Sequence, residues 1–214
     1  MRSFNNQKGS VIMDRMILVI QENKQYLSDI DGAIGDGDHG INMNKGFTMA
    51  REALDKEPGD FSHGLLLLAR MLMMRIGGSM GPLYGKVFKT LGKAFEGHDQ
   101  IDAQLFSDAL AEVKEVMGVL SQARIGDKTL VDALYPAIDA FHHSMKEEGE
   151  FKDALESMKQ AAERGRDATE EMIARLGRSS RLGERSRGVI DAGAASCALL
   201  IGAMADSIVE LLSS

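Results

Sequence analysis

Residues 62–76 read S-H-G-L-L-L-L-A-R-M-L-M-M-R-I. Leu65, Leu68, Ala69, Leu72, Met73 and Ile76 recur at i, i+3, i+4 spacing and line one face of a helix, while Leu66 and Leu67 widen the apolar arc. A helix this apolar has to be covered on most sides, so it is expected to lie largely buried. The same period runs outward in both directions. From 101 to 120, Ile101, Leu105, Ala109, Val113, Val116 and Leu120 form a stripe opposite Asp108, Glu112, Lys114 and Glu115; from 150 to 176, Phe151, Ala154, Leu155, Met158, Ala162, Met172, Ile173 and Leu176 form another. With segments near 10–28, 40–54, 81–95, 128–145 and 193–212, the periodicity predicts an all-α fold of about eight helices. No period-two run is long enough to claim a sheet.

Composition agrees. Three prolines, no tryptophan and 14 methionines among 214 residues favour helices, and methionines at helical spacing read as core filler. At 44% hydrophobic the chain can bury one sizeable core, and a single domain spanning 1–214 is expected. With 32 acidic against 25 basic residues the net charge is -7, which argues against a nucleic-acid or anionic-membrane partner. The one cysteine, Cys197, lies in an apolar run and reads as a buried inert thiol. The polar N-terminus lacks an apolar signal core and no apolar run approaches the roughly 20 residues that span a bilayer, so a cytoplasmic protein is expected.

Glycine collects between the helices, and chemistry is expected there. Residues 31–40, D-G-A-I-G-D-G-D-H-G, crowd Asp31, Asp36 and Asp38 into eight positions. One reading is a solvated turn with Asp38 capping a helix that begins near Gly40. The other is a site for a hard divalent cation, since three carboxylates this close repel one another unless a cation relieves them, and Mg²⁺ prefers such oxygens. Gly35, Gly37 and Gly40 satisfy G-x-G-x-x-G, but no strand precedes them and aspartates fill the loop, so a dinucleotide fingerprint is rejected. The EF-hand pattern also fails, and near Gly85 and Lys86 a phosphate-binding loop fails at Met80 and Val87. "GGSMGPLYG" (77–85) is either a tight interhelical turn or an amide cradle for an anion before a helix N-terminus. "GRSSRLGERSRG" (177–188) carries Arg178, Arg181, Arg185 and Arg187, either as a solvated loop or as a clamp for a phosphorylated ligand or acidic partner. A metal, a phosphate cradle and a guanidinium clamp are what phosphoryl transfer needs. His63, His98, His142 and His143 lack metal-site spacing and read as surface or satisfied side chains.

"IGDGDHGINMNKGF", "GGSMGPLYG", "GDKTLVDALYPAI" and "GRSSRLGERSRGVIDAGAAS" resemble, in order, the four signature segments of the nucleotide-binding L subunit of dihydroxyacetone kinase. The resemblance covers nearly the whole chain. It implies a barrel of about eight antiparallel amphipathic helices with a nucleotide, ADP or ATP, in the loops at one end. It also implies that Asp31, Asp36 and Asp38 hold two Mg²⁺ ions. By the same resemblance His39, Asn42, Gly78, Ser79, Met80, Thr129, Leu130, Arg178, Asp191 and Gly193 surround the nucleotide. Met80 stands where the family usually has serine, Arg181 where it has tyrosine, Val189 for histidine and Ala192 for proline. The activity implied is phosphoryl transfer to dihydroxyacetone or a similar short ketose held by a partner subunit, with bound ADP rephosphorylated by a phosphohistidine carrier of the phosphotransferase system. Two alternatives are an ATP-consuming kinase subunit for a related ketose and a non-catalytic ADP-binding regulator.

Overall fold

The computed structural model of the chain describes residues 3–213. Among the described residues nine α-helices and two short strands follow in order: β1 (Ser3–Asn5), α1 (Ser10–Glu22), α2 (Lys24–Ile34), α3 (His39–Leu54), α4 (Phe61–Arg75), α5 (Met80–Phe95), β2 (Gln100–Asp102), α6 (Ala103–Leu120), α7 (Val131–Lys146), α8 (Phe151–Ala168) and α9 (Ala192–Ser213). Two 3₁₀ turns, Thr169–Glu171 and Ser179–Ser186, lie between α8 and α9. The predominantly helical class is as expected, with three local differences. The segment 10–28 breaks at Asn23, whose side chain donates back to Val19 O at 2.8 Å and closes α1, so α2 restarts and runs on through Asp31. The helix expected to 176 stops at Ala168, because Thr169 Oγ1 bonds back to Arg166 O at 2.6 Å and tightens the last turn. A small sheet that no alternation announced pairs β1 with β2 antiparallel; three residues are too few to show a period.

Consecutive helices pack side by side from α2 through α9, and α1 packs against both α3 and α9. Rings from β1 and from the helix ends nearest it form a ladder at one end. Phe4 meets Phe61, which stacks on Phe95, which stacks on Phe106, which touches Phe141 and Phe151, with centroids 5.4–6.0 Å apart. Buried Asn6 ties that end together, its amide donating to His98 O at 2.9 Å while its oxygen accepts from Ser62 N. The opposite helix ends, the last turn of α2 and the first turns of α3, α5, α7 and α9, converge on a cleft.

Helix α4 is buried as predicted along Leu65, Leu68, Ala69 and Leu72, but Met73, assigned to its core face, is 42% exposed, and Met74 is more so. The apolar-run expectation also needs correction. Helix α9 has 22 residues and a mean hydropathy of 1.7, long and apolar enough by composition to cross a bilayer. Here its surface is used inside the fold, packed against α1, α7 and α8, with Leu200, Met204, Ala205 and Ile208 in the common core. Cys197 is buried on it, and burial pushes its thiol up to about 12, which makes it inert as expected.

Candidate functional site

The cleft has a volume of about 650 Å³, within the range of about 300–1,000 Å³ typical of small-molecule sites. All thirteen residues that the resemblance assigns to metal and nucleotide line it, brought there by four separate segments, whereas Arg181, Arg185 and Arg187 of the expected clamp do not.

The carboxylates come from the junction of α2 and α3. Asp31 sits in the last turn of α2, and its carboxylate accepts the backbone N–H of His39 at 3.2 Å, so it caps the start of α3. Gly35 leaves space for it: a Cβ there would meet Asp31 Oδ1 at 2.5 Å. Gly37 turns the chain with φ +76°, a conformation glycine adopts readily. Asp38 occupies the N-cap position of α3, yet its side chain makes no cap hydrogen bond, so the helix-cap reading does not account for it. Asp31, Asp36 and Asp38 each offer an oxygen within 4.8 Å of the others'. Arg178 comes across the cleft to this cluster, its Nη1 pairing with Asp36 and lying 3.7 Å from Asp38. The cluster thus draws a positive group into its centre, and an all-oxygen donor set of this kind suits Mg²⁺.

Beside the carboxylates, His39 and Asn42 lie in the first turn of α3. His39 is buried and its Nε2 lies 2.8 Å from Ser196 Oγ; burial pushes the imidazole down to about 4, so the ring is neutral at pH 7. Gly78, with φ +69°, turns the chain into α5; Ser79 and Met80 follow, and no side chain caps the N-terminus of that helix.

The opposite wall is the loop before α7. Buried Asp132 accepts N–H groups of Gly126 and Thr129 and so folds the loop, setting Thr129 and Leu130 at the cleft. Lys128, just before them in φ +61°, turns inward. Its ammonium donates to Met172 O at 3.2 Å and to Ser186 O and Val189 O at 2.6 Å, fastening the segment that carries Arg178. Burial lowers its pKa. The sequence reading missed Lys128 and Asp132, as well as Tyr84 and Ser196 behind His39; "GDKT" was the available signal, but a lysine in a glycine-bounded loop reads as solvated.

Asp191 and Gly193 close the cleft at the start of α9. The Asp191 carboxylate accepts Ala194 N–H at 2.8 Å, and burial raises it from 3.8 to about 7 against the lowering effects of that bond and of Lys128. A raised carboxyl stabilises the fold while it keeps its proton. Its contribution is therefore complete below about pH 4, where the unfolded chain also binds the proton, and is lost as pH rises to about 7. Asp191→Asn, which keeps the capping oxygen, is expected to flatten the decline in melting temperature of the ligand-free chain between pH 5 and pH 8. The effect is bounded at roughly 4 kcal/mol by the size of the shift and reduced by exposure to the cleft.

The pattern of the DAK2 domain matches residues 33–206. The chain is 38% identical over 186 residues, 86% of its length, to the PEP-dependent dihydroxyacetone kinase 1, ADP-binding subunit DhaL, of Listeria innocua, covering 88% of that protein. It is 37% identical over 182 residues, 85% of its length, to the PTS-dependent dihydroxyacetone kinase, ADP-binding subunit DhaL, of Lactococcus lactis, covering 86% of that one. In structure it resembles the dihydroxyacetone kinase of C. freundii in complex with AMP-PNP and Mg²⁺, with a TM-score of 0.67 and 22% identity, over 97% of this chain but 35% of the kinase chain.

Proposed function

This chain belongs to the DAK2-domain family, and from that premise we propose that it is the nucleotide-binding subunit of a kinase for dihydroxyacetone or a similar short ketose, acting as one domain over residues 1–214. The observation that carries the reading is the convergence of three carboxylates, a helix N-terminus and Arg178 on one cleft of nucleotide size. Asp31, Asp36 and Asp38 would hold Mg²⁺, two ions by family resemblance, which when bound neutralises phosphate charge and orients the transferred group. The uncapped amides at Gly78, Ser79 and Met80 face the phosphates, and Arg178 leaves the carboxylates to contact them. Asn42, Thr129, Leu130, Asp191 and Gly193 enclose the rest of the nucleotide. The helices form a barrel about this end, on the support of their closed packing order.

The relatives of similar length carry names that describe ADP-binding subunits of PEP- or PTS-dependent kinases. Their names support a cycle in which ADP stays bound and is rephosphorylated by a phosphohistidine carrier while a separate kinase subunit presents the ketose. The AMP-PNP in the similar kinase structure favours the second reading, an ATP-exchanging subunit. Exposed apolar side chains beside the cleft-lining segments, Met74, Val119 (87% exposed), Leu120 and Ile125, give a partner subunit something to cover. The cytoplasm, with its nucleotide pool, is the compartment this chemistry needs.

Purification in Mg²⁺ followed by gel filtration tests the reading. ADP at close to one equivalent in the eluted protein, and transfer from it to dihydroxyacetone once carrier and ketose subunits are added, is the expected result. A protein that takes up neither ADP nor ATP at millimolar concentration contradicts it.

A further inference from the structure

Behind His39 lies a buried polar chain. Tyr84 Oη is 2.7 Å from Ser196 Oγ, Ser196 Oγ is 2.8 Å from His39 Nε2, and the carbonyl of Gly193 lies 3.1 Å from Tyr84 Oη and 3.2 Å from Ser196 Oγ. Ser196 is fully buried and Tyr84 nearly so. A buried imidazole with a single proton can hold it on either nitrogen, so the hydrogen bonds of the two arrangements can be counted. If Nε2 carries it, His39 donates to Ser196, and the two hydroxyls between them satisfy one another and the Gly193 carbonyl: three hydrogen bonds. If Nε2 is bare, Ser196 must donate to it, Tyr84 then donates either to Ser196 or to Gly193, and only two bonds form. Leaving a buried contact of this kind unmade is the costlier arrangement. The other nitrogen is not sealed in. Among the described residues Ser28 Oγ is the buried side-chain polar atom without a partner, whereas His39 Nδ1, on the cleft wall, has no partner within the chain and remains open.

We infer that Ser196 and Tyr84 are positioning residues that hold His39 with its proton on Nε2 and present a bare Nδ1 to the cleft, where it accepts a hydrogen bond from a donor brought by the ligand. A phosphate oxygen is itself an acceptor and does not fit that role. The donor is an O–H group, either a nucleotide hydroxyl or a water held by the cation beside Asp31. The assignment of ligand rests on the nucleotide reading above; the assignment of tautomer does not.

Protein labelled with ¹⁵N-histidine, with His39 identified by its loss in His39→Gln, reports the tautomer directly in two-bond ¹H–¹⁵N correlations of the ligand-free chain. The expected result is a proton fixed on Nε2 in the wild type and a mixture of both tautomers in Ser196→Ala, with ADP affinity in Mg²⁺ weakened about 10-fold at an unchanged fold. A wild-type proton on Nδ1 overturns the inference whether or not the variant folds, as does a folded Ser196→Ala with the tautomer unmoved. On titration of the wild type, a shift of Nδ1 with ADP alone identifies a nucleotide hydroxyl, and a shift with Mg²⁺ alone identifies held water. No shift of Nδ1 with ADP and Mg²⁺ demonstrably bound overturns the ligand half. Failure of ADP to bind at all instead contradicts the proposed function, and the ligand-free spectrum still decides the tautomer.

Discussion

Asp38→Asn is expected to abolish the Mg²⁺ dependence of ADP binding, lowering affinity in Mg²⁺ by on the order of 100-fold or more. Asp36→Asn is expected to do the same. An amide offers one neutral oxygen where the ion needs an anionic one, and each variant leaves the three-carboxylate site with only two. The melting temperature of the ligand-free variants should barely move. The sequence alone argues otherwise, since removing one of three crowded carboxylates should relieve repulsion. In the folded chain Arg178 already supplies that relief to Asp36 and Asp38, and all three side chains are substantially exposed, where such pairs contribute about 0–1 kcal/mol. Titration calorimetry with ADP, with and without Mg²⁺, measures the first effect and a thermal melt the second. Undiminished Mg²⁺-dependent affinity in both variants would remove the carboxylates from the site.

The largest stability effect is expected at Lys128. Lys128→Met keeps the length and apolar stem of the side chain but leaves the carbonyls of Met172, Ser186 and Val189 without their shared donor. Hydrogen bonds to a charged group contribute about 1.5–3 kcal/mol each; the relief of no longer burying an ammonium offsets part of the loss. A net cost on the order of 3 kcal/mol follows, or a melting temperature lower by roughly 6–12 °C for a chain of this size. The damage is local to residues 172–189, so limited proteolysis should cut there first, and ADP affinity should fall because Arg178 lies within that segment and Asp191 just beyond it. A variant that melts within about 2 °C of the wild type would show that the three carbonyls do not depend on this ammonium.

These two cases mark what the sequence could and could not convey. Helices with a continuous apolar stripe, such as 101–120, were legible because the 3.6-residue period is local. The cleft was legible because glycine-rich segments stand out between such stripes, and the resemblance gave roles to thirteen residues that the fold then gathers from four segments. Features that depend on a distant partner were not legible. Nothing near Lys128 indicates that its charge is consumed by backbone carbonyls some 44–61 positions away. Ser196 looked like one more small residue in an apolar helix, and only folding sets it between His39 and Tyr84, 157 and 112 positions off. Arg178 read as a ligand clamp, and the pairing with Asp36 that holds it in the ligand-free chain spans the cleft. The break at Asn23 has no glycine or proline to announce it; an asparagine side chain bonding back to Val19 ends the helix instead.

The central claim is that Asp31, Asp36 and Asp38 hold a divalent ion against a nucleotide. A crystal structure of the chain soaked with ADP and Mn²⁺ tests it most directly, because manganese is visible by its anomalous scattering. The account predicts at least one anomalous peak between the three carboxylates and the nucleotide phosphates, with ligand distances of about 2.0–2.2 Å and Arg178 released from Asp36 toward phosphate. ADP bound in the cleft with no peak there, and Arg178 still paired with Asp36, would contradict it.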